Sequence, residues 1–180
     1  MQPSSTELIL IRVTGADRPG LTSSVTEILA KYDATILDIG QADIHNTLSL
    51  GILFKSEERH SGFIMKELLF KASSLGVTIR FEPITTEQYD NWVGMQGKNR
   101  YILTVLGRKL SARQISAATS VLAEQGMNID AIKRLTGRIP LDECDTDART
   151  RACIEFSVRG TPKDRISMQE SLMKLASELE

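Results

Sequence analysis

Apolar and polar residues alternate along this chain in a set order of strand-like and helix-like stretches, and that order occurs twice. The first stretch, Glu7–Val13, is a short apolar run that predicts a mostly buried strand, and Gly15–Gly20 after it is dense in turn-forming residues. The apolar residues that follow have the spacing of one helix face: Leu21, Val25, Ile28, Leu29 and Tyr32.

A hairpin, a helix and a strand complete the first unit. Ala34–Phe54 is a long extended stretch interrupted by His45-Asn46-Thr47, which predicts two strands joined by a short connection. A second helix ends at Gly76, the usual C-terminal residue, and Val77–Phe81 predicts the last strand. The apolar face of that helix consists of Ile64, Leu68, Ala72 and Leu75.

The second unit repeats this order but ends earlier. Its predicted elements are a strand at Tyr101–Leu106, a turn at Gly107–Ser111, a helix ended by Gly126, a strand at Met127–Leu135, an alternating strand at Ala152–Val158 and a helix from Thr161 to Leu179. Nothing equivalent to Val77–Phe81 follows. We therefore expect the natural protein to continue past Glu180, the alternatives being a three-stranded second sheet or an edge completed by a partner chain.

Equivalent strands lie roughly 90 residues apart, the size of a small domain, which indicates a duplicated domain rather than a solenoid. The predicted fold class is α+β, with two ferredoxin-like βαββαβ units in tandem, antiparallel sheets and helices on one face. We place the first unit at 6–84, a connector at 85–98 and the incomplete second unit at 99–180. Because the connector holds the only tryptophan, Trp92, with Tyr89 and Met95, we predict that it packs across both units.

Composition excludes several classes of function. The formal net charge of −1 gives the protein no overall positive charge that would attract nucleic acid or a membrane surface. No apolar run approaches the ~20 residues of a membrane span, and the polar N-terminus has no signal-peptide core. Cys144 and Cys153 lie in different elements and predict reduced thiols of a cytoplasmic protein. RNA-recognition modules share the βαββαβ order, but the strand positions that would stack bases hold aliphatic or small residues.

The turn Asp17-Arg18-Pro19-Gly20-Leu21 after the first strand, together with the duplicated element order, resembles ACT domains, which commonly bind amino acids. The segment Ile39–Gly51 and the connector residues Tyr89–Trp92 resemble more closely the N-terminal region of long bacterial phosphoserine phosphatases. That resemblance implies a regulatory, self-associating homodimeric region. It also implies that a C-terminal catalytic domain and its Mg²⁺ lie beyond residue 180, with no cofactor in this chain. Serine, the end product, is the effector it favours.

The same turn suggests how an α-amino acid could bind. Gly20 allows close approach to the backbone, Pro19 presets the turn, and the free N–H groups of Gly20–Ser23 at a helix N-terminus favour a carboxylate. Asp17 is placed to take the ammonium group. The predicted effector residues are Asp17, Arg18, Pro19, Gly20 and Leu21. The alternative is that Asp17 only caps the helix.

In the second unit the turn lacks the Asp and Pro-Gly, which puts a second effector site in doubt, but Asn128 stands at the helix-to-strand corner where some family members hold the ligand with an Asn. His45 and His60 have no partners at metal-ligand spacing, so we expect no metal site. The acidic segment Asp142–Asp147 lacks the Gly and terminal Glu of a calcium loop and predicts a solvated loop. No arrangement of residues predicts catalysis within this chain.

Three functions remain open from the sequence. The first is the regulatory region of a phosphoserine phosphatase. The second is a free-standing tandem-ACT regulator of amino-acid metabolism, and the third is a purely structural dimerisation module without a ligand.

Overall fold

The computed structural model describes residues 5–96, 99–108, 111–138 and 152–178. The acidic segment Asp142–Asp147 lies outside the described residues. The chain divides into two compact units, Met1–Gly94 and Met95–Glu180. The strands are β1 (Thr6–Ala16), β2 (Thr35–Ile44), β3 (Thr47–Glu57), β4 (Thr78–Ile84), β5 (Arg100–Gly107), β6 (Asn128–Arg134) and β7 (Ala152–Arg159). The helices are α1 (Leu21–Lys31), α2 (Glu58–Leu75), α3 (Thr86–Gln96), α4 (Ala112–Glu124) and α5 (Arg165–Glu178).

The first unit is a four-stranded antiparallel sheet in the order β2-β3-β1-β4. His45 and Asn46, with φ of 53° and 59°, form the two-residue β2–β3 turn, because positive φ at both positions matches the twist of the two strands. Register places Ile11 opposite both Ile52 and Phe81, so these three side chains share one face of the sheet.

Helices α1 and α2 pack on that face. The buried core contains sheet residues such as Ile11 and Phe54, each 0% exposed, and helix residues such as Leu29 and Leu68, each 1% exposed. The apolar face of each helix therefore packs against the apolar face of the sheet, which confirms the predicted fold class.

The described part of the second unit contains a three-stranded antiparallel sheet in the order β5-β7-β6. Phe156 is the centre of its smaller core, at 0% exposure. β5 corresponds in order to β1, but it has one hydrogen-bonded neighbour among the described strands where β1 has two. As a result Leu103 on β5 is only half-buried, whereas Ile11 on β1 is fully buried.

Two local expectations need correction. β1 continues through Gly15 and Ala16, which we predicted as turn, because these residues pair with Leu48 and Thr47 of β3. Strand pairing thus overrides the preference of a glycine for a turn, and the turn shortens to Asp17–Gly20.

The connector forms a helix, α3, that the sequence analysis did not predict. Thr85 and Gln88 cap its start reciprocally: the Gln88 N–H donates to Thr85 Oγ1 at 3.1 Å, and the Thr85 N–H donates to Gln88 Oε1 at 2.9 Å. That Thr-x-x-Gln spacing was the signal available in the sequence. Tyr89 and Trp92 are half-buried and contact each other, with ring centroids 5.8 Å apart. The packing of this connector across both units stays a prediction.

Candidate functional site

An open groove lies at the junction of β1 and α1 in the first unit. Its volume is about 330 Å³, and its lining residues come from the turn, the first turn of α1 and strand β2: Asp17, Arg18, Pro19, Gly20, Leu21, Thr22, Ser23 and Gln41. The five residues predicted from the turn are therefore brought together here, and three further residues join them.

Gly20 determines how α1 begins. It is the N-cap, with φ 84° and ψ 0°, a left-handed conformation that suits glycine, and its carbonyl accepts from the Ser24 N–H at 2.9 Å. No side chain caps this helix. The alternative role of Asp17 as a helix cap is therefore wrong.

The first turn of α1 presents unpaired backbone donors to the groove. The Leu21 N–H donates to the Arg18 carbonyl at 3.4 Å, but no described residue accepts from the N–H of Thr22 or Ser23. Leu21 is 1% exposed and anchors the turn in the core. A helix start with free, rigidly held N–H groups favours an anionic oxygen ligand.

Two opposite charges flank these donors. Asp17 and Arg18 are both exposed, and neither forms an ion pair within the part of the chain that the structure describes. The Arg18 guanidinium lies beside the end of α2, where a Cβ on Gly76 would come within 4.0 Å of Nη2. The groove is thus lined by a carboxylate, a guanidinium and a helix N-terminus, without an ion pair of Asp17 or Arg18 among the described residues, and this set of charges is complementary to a zwitterion.

Gln41 forms the wall opposite the helix, and sequence reasoning assigned it no role. The Thr22 hydroxyl donates to Gln41 Oε1 at 2.7 Å. Gln41 pairs with Leu50 in the β2–β3 ladder, so it lies on the helix-covered side of the sheet, at the edge strand. Neither the periodicity nor the turn signal could place β2 against α1, because that contact depends on strand register.

The second unit treats the equivalent helix start differently. Ser111 caps α4 by accepting from the Gln114 N–H at 3.2 Å, and the Gln114 side chain accepts from the Ser111 N–H at 2.9 Å. This capping box satisfies the Gln114 N–H, whose equivalent at α1 is the free N–H of Ser23. Residues 109–110 of the corresponding turn lie outside the described ranges.

Asn128 lies in the second unit, at the start of β6, and not at the groove. Its side-chain amide donates to Asp130 Oδ1 at 3.0 Å. The same oxygen accepts from Arg159 Nη2 at 3.0 Å, in a pair whose side chains are 15% and 28% exposed. Asn128 therefore belongs to a charged cluster with Asp130 and Arg159 in which only the Arg159 side chain is mostly covered, and its contact with an effector stays a prediction.

No helix among the described residues is long and apolar enough to cross a membrane. Within the same residues, no three His, Cys, Asp or Glu side chains come together in a way that could hold a metal ion.

Comparison with known families accounts for both units. Sequence models of the ACT domain match residues 7–82 and residues 100–180. Over 97% of its length the chain also shares its fold with the crystal structure of an unknown protein from Galdieria sulphuraria, of which it covers 94%, with a TM-score of 0.73 at 19% identity.

Curated relatives are of two kinds. The chain is 31% identical over 160 residues to the phosphoserine phosphatase of Streptomyces coelicolor, a match covering 88% of this chain and 35% of that protein. It is 30% identical over 129 residues to phosphoserine phosphatase SerB2 of Mycobacterium tuberculosis, covering 71% of this chain and 31% of that protein. The chain thus spans about a third of the length of these two relatives.

The other kind is short. The chain is 28% identical over 85 residues to the UPF0237 protein PAE3582 of Pyrobaculum aerophilum, a match that covers 46% of this chain and 94% of that protein. The fold, the family matches and the phosphatase similarity confirm the resemblance that the sequence suggested. The chain consists of two ACT domains in tandem and belongs to the ACT domain family.

Proposed function

We propose that this chain is the regulatory, amino-acid-binding and self-association region of a phosphoserine phosphatase, and that L-serine binds in the groove of the first unit. The parent enzyme would hydrolyse O-phosphoserine in a catalytic domain, with Mg²⁺, that follows this region. The observation that carries the proposal is the open start of α1, where the N–H groups of Thr22 and Ser23 and the charges of Asp17 and Arg18 have no partner among the described residues.

Each end of an amino acid has a complement in this groove. The ligand carboxylate would accept from the free N–H groups of the first helical turn, with Arg18 adding positive charge. The ligand ammonium would face the Asp17 carboxylate. The groove is open and about 330 Å³ in volume, which is enough room for an amino acid.

The contrast between the two units supports one effector groove of this kind per chain. At α4 the Ser111 side chain accepts from the Gln114 N–H, the donor equivalent to the free N–H of Ser23 at α1. Of the two equivalent helix starts, the one in the second unit is thus partly closed by its own side chains.

Regulation requires that the effector prefer one arrangement of the protein over another. Self-association would supply such arrangements, because β2 and β5 are edge strands among the described strands and carry exposed apolar side chains, among them Ile44 at 74% and Leu106 at 75%. Sedimentation equilibrium of this chain with and without L-serine measures the effect. A monomer under both conditions would contradict the self-association.

The experiment that tests the binding proposal is calorimetric titration with L-serine, L-alanine, glycine and O-phosphoserine. We expect L-serine to bind the wild-type chain, and Asp17→Asn to weaken its binding roughly tenfold by removing one charge-assisted contact. Asp33→Asn is the matched control, because Asp33 is also exposed but lies at the opposite end of α1. Absence of binding by every amino acid would overturn the proposal, and unchanged binding by Asp17→Asn would remove Asp17 from the site.

A free-standing regulator is the second candidate. It is favoured by the UPF0237 relative, which is little longer than one ACT unit and so has no room for a phosphatase domain. The length of the natural open reading frame separates the two. A frame that continues into an apolar strand followed by Asp-x-Asp-x-Thr supports the phosphatase.

A further inference from the structure

We infer that Gln41 is the specificity-determining residue of the groove and selects a ligand whose side chain carries an oxygen. The inference rests on the proposed function, since it concerns which amino acid the groove prefers.

The orientation of the Gln41 amide is set by its neighbour. The Thr22 hydroxyl donates to Oε1 at 2.7 Å, so the other end of the amide, Nε2, is directed away from Thr22 with both of its hydrogens. No described residue accepts from Nε2. Gln41 therefore contributes a pair of unused donors to the groove wall.

Thr22 is itself rigidly placed. It follows the core residue Leu21, and its carbonyl accepts from the Thr26 hydroxyl at 3.0 Å within α1. Gln41 comes from a different element, the edge strand β2, whose register with β3 positions it. The backbone of Gln41 is thus positioned by the strand register, and one hydrogen bond orients its exposed amide before a ligand arrives, which limits the entropy lost on binding.

The other lining groups do not discriminate between amino acids. Asp17, Arg18 and the free N–H groups face the ammonium and carboxylate, which every α-amino acid has. The Ser23 hydroxyl donates to Glu27 Oε1 at 3.2 Å, and the Thr22 hydroxyl is engaged by Gln41. Among the lining residues, Gln41 is left as an uncharged polar side chain with free donors.

Free donors select oxygen over methyl for a physical reason. A ligand that fills the groove removes water from Nε2, and a hydroxyl oxygen replaces the lost hydrogen bond whereas a methyl group does not. A site built to hydrogen-bond a substrate group rejects the analogue that lacks it. We expect the wild-type chain to bind L-serine roughly tenfold more tightly than L-alanine, about the effect of one hydrogen bond.

The experiment is calorimetric titration of L-serine and L-alanine into four chains: wild type, Gln41→Met, Thr22→Val and Asp43→Asn. Gln41→Met keeps the length of the side chain and removes the amide. Thr22→Val removes the hydroxyl that orients it. Asp43→Asn is the matched control, because Asp43 lies two residues further along the same face of β2 and does not line the groove.

The readout is the ratio of the two affinities, which a general loss of fold would not shift selectively. We expect this ratio to fall to near one in Gln41→Met, to fall partway in Thr22→Val and to stay at the wild-type value in Asp43→Asn. A fifth chain, Thr22→Ser, keeps a hydroxyl at position 22 and should keep the wild-type ratio.

Three results would overturn the inference in distinguishable ways. If the wild type binds both ligands equally, or if Gln41→Met keeps the wild-type ratio, Gln41 does not read the side chain, and the proposed effector groove stands. If the wild type binds no amino acid at all, the proposed function fails and this inference fails with it.

Discussion

A single carboxylate joins the two helices of the first unit. Glu67 on α2 accepts from Lys31 Nζ at 2.5 Å and from the Tyr32 hydroxyl at 2.6 Å, and the Tyr32 ring is stacked 6.5 Å from that of Phe63. The hydrogen bond from Lys31, followed by that from Tyr32, lowers the pKa of Glu67. The hydrogen bond to Glu67 raises the pKa of both Lys31 and Tyr32.

These shifts predict a pH-dependent contribution to stability. Because the pKa of Glu67 is lowered in the folded state, its contribution to stability is present above the pKa of the unfolded state and is lost as the pH falls through the pKa of the folded state. The pKa values of Lys31 and Tyr32 are raised in the folded state. Their contributions to stability are therefore present below the unfolded-state pKa values and are lost as the pH rises through the folded-state pKa values.

We therefore expect Glu67→Gln to lower the free energy of unfolding at pH 7. Near pH 3 the free energy of unfolding of the variant should approach that of the wild type. Urea unfolding across this range measures the difference. Glu7→Gln is the control, because Glu7 is exposed on β1 and has no ion pair within the described residues. A difference between Glu67→Gln and wild type that is constant with pH would contradict the assignment.

At the scale of elements, the two units differ most in how equivalent helices begin. α1 starts at a left-handed Gly20 without a side-chain cap, while α4 starts with a complete capping box. A cap stabilises a helix, so its absence at α1 leaves the first turn of that helix less stable and its N–H groups free. This difference between the two helix starts is local, because a few residues at one turn produce it.

The cap of α4 predicts a loss of stability confined to the second unit. Ser111→Ala should lower its free energy of unfolding by about 1 kcal/mol, because the Gln114 N–H loses its acceptor. Ser116→Ala, at an exposed position within α4, is the matched control and should be neutral or slightly stabilising. Chemical unfolding of both variants tests this, and equal effects would mean that the cap contributes nothing.

At the scale of the whole molecule, two copies of one fold have unequal cores. The buried cluster of the first unit contains twelve described residues and that of the second contains six. The first sheet has four strands, and the described part of the second sheet has three. Since buried apolar area is the main source of stability, the units should not unfold as equals.

Hydrogen exchange should show this inequality. We expect the amides of β7, the central strand of the second sheet, to exchange faster than those of β3, which is likewise paired on both sides in the first. Both strands are internal, so strand position is matched and core size is the variable. Equal protection of β3 and β7 would show that the units open together or with equal free energy.

Periodicity and turn chemistry were sufficient to predict much of this protein. The alternation of strands, the helical faces, the duplication and the helix-covered side of each sheet all follow from local spacing, since side-chain direction repeats every two or about 3.6 residues. The turn Asp17–Leu21 was recognised because Pro19 and Gly20 restrict or release backbone angles at their own positions.

Only the tertiary structure decided what depends on residues distant in sequence. Pairing with β3 extended β1 through Gly15 and Ala16, and strand register brought Gln41 to Thr22 across 19 positions. Packing of α1 against α2 joined Tyr32 to Glu67 across 35 positions. The physical reason is that a sequence pattern specifies which face a side chain occupies, whereas the register of strands and the packing of helices specify which partner lies opposite it.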